Sequence, residues 1–154
     1  MQLTKRIFLI LLVVFVAIQF VQPARNSNHT IGELSNINEF YIPSNVKSLL
    51  RTSCYDCHSN NTRYPWYANI QPLGWLLADH IKEGKAELNF DEFENLSTRR
   101  QLSKLKSIAG RIKDGSMPIA SYTWMYGDVK LSSENKALII DWATKTRDSL
   151  EVTN

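Results

Sequence analysis

SNVKSLLRTSCYDCHS, residues 44–59, decides what the rest of this 154-residue chain has to build. Ser44, after Pro43, reads as a helix N-cap, and Val46, Leu49, Leu50 and Cys54 recur at helical spacing. The stretch predicts one helix that carries both cysteines of the chain, Cys54 and Cys57, at its C-terminal end, with His58 directly after them. Thiols three residues apart on a helix share a face. The remaining segments have to supply whatever packs over that face.

Towards the N-terminus, Lys5 and Arg6 precede an apolar run from Ile7 to Ile18, extended past Gln19 by Phe20 and Val21. This is a membrane-targeting segment with its positive flank on the cytoplasmic side, so the remainder of the chain is expected outside the cytoplasm. Fifteen residues rise only about 22 Å, short of a ~30 Å hydrocarbon core, which favours a cleaved signal peptide. Pro23 and Gln22 before Ala24 make a poor cleavage site, which favours an uncleaved anchor. We expect a single N-terminal anchor with the domain facing the periplasm, or release into the periplasm if the segment is cleaved. Setting residues 1–24 aside removes Lys5 and Arg6 and leaves 16 basic against 15 acidic side chains. That balance carries no nucleic-acid footprint.

Residues 25–39 read as a polar tether that includes His29, and residues 40–150 as one small domain. Within the domain the pattern is helical throughout. LGWLLADHIKEG puts Leu73, Leu77, His80 and Ile81 on one stripe, with Gly84 as its expected stop. DEFENLSTRRQLSKLKSIAGRIKDG predicts a longer helix with Leu102, Leu105, Ile108, Ala109 and Ile112 inward and Gly115 ending it. Its basic residues Arg99, Arg100, Lys104, Lys106, Arg111 and Lys113 read as a solvated face. SMPIASYTWMYGDVK reads as a loop, and Ser132 caps a last helix whose Leu138, Ile139 and Trp142 turn inward.

The spacing of the motif now has a chemical reading. In C-x-x-C-H the two sulfurs suit thioether bonds to the vinyl groups of one haem, and His58 projects towards the iron. Three other readings compete. A thiol oxidoreductase wants a βαβ pattern before its C-x-x-C, a structural zinc site needs a second ligand pair, and a disulfide between Cys54 and Cys57 closes a very small loop. Met117, in DGSMPIAS, leads the candidates for the sixth iron position, with Met125 and His80 as alternatives. Arg63 and Trp66 are candidate partners for the haem propionates, since buried anions need charge-assisted hydrogen bonds.

The blocks CYDCHSNNTRYPWYANIQPLGWLLADHIKEGKAELNFDEF and MPIASYTWMYGDVKLSSENKALIIDWA resemble the bacterial haem-binding domain family of exported proteins with one C-x-x-C-H site, over roughly Tyr41 to Arg147. One departure is Ile119, where such families often carry a second proline after Met-Pro. The resemblance implies an all-α, cytochrome c-like helical domain enclosing one covalently bound haem c, preceded by the membrane-targeting helix. It implies Cys54 and Cys57 as attachment points, His58 as proximal and Met117 as distal ligand. The expected function is single-electron transfer by an exported, membrane-tethered monohaem cytochrome with redox protein partners of unknown identity, and not an enzyme. The alternative is a haem-based peroxidase or a gas or redox sensor with an open or displaceable sixth site.

Overall fold

The computed structural model describes residues 2–28 and 42–152, so the tether residues 29–39, with His29, and also Tyr41 lie outside the described residues. Seven α-helices run through the described residues: α1 (Gln2–Ile18), α2 (Ser44–Ser53), α3 (Tyr55–His58), α4 (Leu73–Glu87), α5 (Thr98–Lys113), α6 (Ala120–Met125) and α7 (Ser133–Val152). Short 3-10 helices at Trp66–Asn69, Phe90–Asn95 and Gly127–Val129 join them. Among the described residues the only β pairing is an isolated bridge between Ser27 and Asn61.

The core forms where α5 and α7 pack along each other and α2 closes over them. Leu105, Ile108 and Ile112 of α5 meet Ile139, Trp142 and Ala143 of α7, with Val46 and Leu50 of α2 and Phe90 and Phe93 of the intervening turn. The inward stripe of α5 is the expected one, extended by Gln101, whose buried amide donates to the Phe93 carbonyl at 3.2 Å. Leu138 does not turn inward: it lies 40 % exposed, one position off the stripe that buries Ile139 and Trp142. Ser132 caps α7 as expected, its hydroxyl accepting the Asn135 N–H at 3.2 Å.

Other boundaries differ from the sequence reading, and each difference has a physical reason. Ser44 is the first helical residue of α2 instead of its cap; Pro43 holds the cap position and its carbonyl takes the Lys47 N–H at 2.9 Å. The helix expected over residues 44–59 breaks at Cys54 (φ −124°), so the C-x-x-C-H residues sit on a joint and a separate one-turn helix. Gly84 does not stop α4, which continues to Glu87. The segment read as a loop contains α6, organised around the buried Tyr122.

The N-terminal helix ends before the apolar run read from the sequence does. α1 ends at Ile18 after 17 residues, and among the described residues no helix is long and apolar enough to cross a membrane. Gln19 leaves the helix because its amide has partners on the domain: Nε2 donates to the Gln71 carbonyl at 3.2 Å and Oε1 accepts the Gln71 N–H at 2.9 Å. Gln22 continues the contact, its Oε1 accepting from the fully buried Gln71 amide at 3.0 Å, and Trp75 Nε1 donates to the Val21 carbonyl at 2.8 Å. Asn26 then bonds the Ser59 carbonyl, the Thr62 hydroxyl and Lys85. Residues 25–28 are therefore docked on the domain where the sequence reads as tether.

Candidate functional site

The helix α3 is only four residues long, YDCH, and is held from three sides. Asp56, 4 % exposed, is the main attachment. Its Oδ1 accepts from both the backbone N–H and the Nε–H of Arg63 at 3.1 Å, and its Oδ2 accepts from Arg63 Nη2 at 3.1 Å and from the Tyr122 hydroxyl at 2.5 Å. These four hydrogen bonds replace the water that burial removes from the carboxyl group. The hydrogen bond to Asp56 holds the Arg63 guanidinium above its ordinary pKa, while burial first and the Asp56 carboxylate second push the Tyr122 phenol up. Through Tyr122 the turn between the cysteines is tied to α6.

The second support is α4. At Gly84 an added Cβ would stand 2.7 Å from the Cys57 carbonyl oxygen and 3.1 Å from Cys57 Cβ, so α4 approaches α3 at a distance only glycine allows. One turn later the α4 C-cap residue Leu88 presents its carbonyl to His58 Nδ1 at 3.0 Å. A carbonyl only accepts, so Nδ1 carries the proton and Nε2 keeps its lone pair. That is the arrangement of a histidine prepared to ligate a metal through Nε2.

His58 lines an open cleft together with Cys54, Met117 and Pro118, backed by Leu50, Phe90, Ile108 and Leu131. The turn that brings Met117 there starts at Gly115, whose φ of +78° suits glycine and ends α5 as the sequence predicts. Asp114 Oδ1 accepts the Ser116 N–H at 2.9 Å; the Ser116 side chain first and this backbone N–H second hold the Asp114 carboxyl below the usual range, and the Met117 N–H returns to the Arg111 carbonyl at 3.1 Å. A second, smaller cleft is lined by Cys57, Tyr67, Leu77, His80, Tyr122 and Met125. The structure thus brings Cys54, His58 and Met117 to one cleft, and sets Cys57 with both alternative ligands, His80 and Met125, in the other.

Both thiols are unpaired and both resist ionisation. Burial, then the neighbouring Cys57, pushes Cys54 up to about 12; burial, then Asp56, pushes Cys57 up to about 11. A redox-active dithiol needs the opposite, a thiolate stabilised by a cation or a helix N-terminus. No three His, Cys, Asp or Glu side chains among the described residues are grouped to hold a metal ion. The donors present suit a haem: an oriented imidazole and a thioether lining one cleft, and two neutral thiols three residues apart beside that imidazole.

Of the two propionate candidates, Arg63 lines neither cleft and its guanidinium is engaged with Asp56. Trp66 also lines neither, is 78 % exposed and meets Tyr67 edge to face. Sequence reasoning missed Asp56 and Tyr122, whose pairing spans 66 positions and leaves no periodic trace, and missed Lys104 and Arg111, which line the His58 cleft. Their i, i+7 spacing was the available signal.

No curated protein and no solved structure matches this chain. The haem-binding domain family matches it over residues 13–145, from the second half of α1 into α7 and through every element that builds the site, so the chain belongs to the haem-binding domain family.

Proposed function

We propose that this haem-binding protein is an exported, c-type monohaem electron carrier. The observation that carries the reading is the hydrogen bond from His58 Nδ1 to the Leu88 carbonyl, which fixes the tautomer and leaves Nε2 as the donor atom of a residue lining the same cleft as Met117. When bound, the group supplies a one-electron iron couple, and an imidazole–thioether ligand pair raises its potential. Leu88 orients the imidazole; Gly115 and the Arg111 carbonyl hold the Met117 backbone; Leu50, Phe90, Ile108 and Leu131 limit water on the apolar wall.

Attachment through Cys54 and Cys57 is redox-neutral. Each thiol S–H adds across one vinyl group, so an S–C bond forms, the C=C π bond is lost and the thiol proton moves to the other vinyl carbon. Neutral, reduced thiols are the starting material, in keeping with their raised pKa values. Export is supported by Lys5 and Arg6 in the first turns of α1, ahead of its apolar run, in a helix with exposed apolar residues and no buried residue.

The test is a denaturing gel of chain matured in an oxidising compartment and stained for haem. Stain that disappears in Cys54→Ala/Cys57→Ala is the expected result, and stain that persists in that variant refutes covalent attachment. Ferrous protein that binds carbon monoxide readily at neutral pH would instead assign an open-site enzyme or sensor.

A further inference from the structure

We infer that Lys104 and Arg111 form the carboxylate-recognition edge of the His58 cleft and receive the acidic side chains of the porphyrin. The inference rests on the haem reading and gives the ligand its orientation. Seven residues apart, the two cations fall on one face of α5, two turns and about 10 Å from one another. Ser107 and Ile108, between them on that face, line the same cleft. Of the six basic residues of α5, these two line it; Arg99, Arg100, Lys106 and Lys113 do not.

The rest of the wall is largely apolar, and the only acidic residue lining the cleft is Glu87. Glu87 does not neutralise the edge firmly: its carboxylate is 82 % exposed and 3.9 Å from Lys104 Nζ, at the limit of an ion pair. An exposed pair of that geometry is worth little and yields to a better anion. An apolar wall with two cations along one edge fits a flat apolar molecule bearing two carboxylates. Arg63, by contrast, is spent on Asp56. Arg111 also ties this edge to the sulfur loop, because its carbonyl holds the Met117 N–H.

The test removes covalent attachment so that affinity reports recognition alone. Full-length Cys54→Ala/Cys57→Ala chain is titrated with zinc protoporphyrin IX and with its dimethyl ester, followed by porphyrin fluorescence. The free acid is expected to bind about tenfold or more tightly than the ester, a difference of 1.4 kcal/mol. Adding Lys104→Gln and Arg111→Gln should erase that preference. Lys104→Arg with Arg111→Lys should keep it, as should the control Lys106→Gln. A preference that survives the Gln pair, or an ester bound as tightly as the acid, overturns this inference and leaves the haem reading standing. A chain that binds neither porphyrin overturns both.

Discussion

Replacing Asp56 should cost more than any other single polar substitution in the site, and the size can be worked from its partners. The ion pair with Arg63 contributes little by itself, because the arginine side chain is 65 % exposed and rehydrates when released. The larger losses are the Tyr122 hydrogen bond to a buried carboxylate, about 1.5–3 kcal/mol, and the Arg63 backbone N–H that also ends on Asp56, about 1 kcal/mol. Asp56→Ala should therefore destabilise by roughly 3 kcal/mol, which for a domain of this size lowers Tm by about 12 °C. Tyr122→Phe should lose about half as much, since Arg63 still compensates the carboxylate. The two substitutions should couple in a double-mutant cycle, measured by urea unfolding of chain without haem, by at least about 1 kcal/mol. Additive effects, or an Asp56→Ala variant within about 0.5 kcal/mol of wild type, would refute the role of Asp56 in holding α3 to α6.

Gly84→Ala tests the contact between α3 and α4: the gain in helix propensity, about 1 kcal/mol, is opposed by backbone that must recede from a 2.7 Å approach, so unfolding should show a net loss of about 1 kcal/mol and haem staining should fall. A variant more stable than wild type would show that Gly84 is not a contact glycine. In chain without haem, stability owed to Cys54 and Cys57 should be fully present below pH 9, the ordinary thiol value, and be lost as pH rises through about 11 to 12, because burial favours their protonated forms in the fold. Denaturation curves at pH 8 and pH 11 should show this loss in wild type and a smaller one in Cys54→Ala/Cys57→Ala. A chain beginning at Gln19 should be more stable than one beginning at Arg25 by roughly 2 kcal/mol, and melt correspondingly higher, since the shorter chain gives up the Gln19, Gln22 and Val21 bonds to Gln71 and Trp75. Equal Tm values would show that residues 19–24 contribute nothing to the domain.

The helical architecture was legible because apolar periodicity is a local signal: Leu105, Ile108 and Ile112 read as one face and are one face. Gly115 was legible for the same reason, as a local stop with a backbone consequence. Gly84 misled because the same residue type serves two purposes. A glycine ending a helix and a glycine admitting a neighbouring backbone look alike in sequence, and only the position of Cys57 decides between them. The break at Cys54 was not legible either, since α3 is held in its direction by Arg63 and Tyr122 and not by the propensities of YDCH. The motif named the chemistry; the contacts that orient it are long-range.

The charges around the motif follow one logic. A carboxylate placed between two cysteines disfavours their thiolates, and Asp56 adds to the raised pKa of Cys57. Dithiol redox chemistry or zinc binding would be impeded by such a neighbour, whereas the thiol addition proposed above, which starts from S–H, would not. Burying that carboxylate requires a counter-charge, and Arg63 supplies it through two side-chain bonds. The first basic side chain after the cysteines in sequence is thereby consumed, and a further anion brought to the site has to be met elsewhere. Among the residues lining the His58 cleft, only Lys104 and Arg111 carry positive charge, both from α5, the helix whose C-terminal turn also delivers Met117. The C-x-x-C-H turn and the Met117 loop thus divide the electrostatic work: the Asp56 charge is closed by Arg63 and Tyr122, and α5 keeps a positive edge in the cleft that Met117 lines.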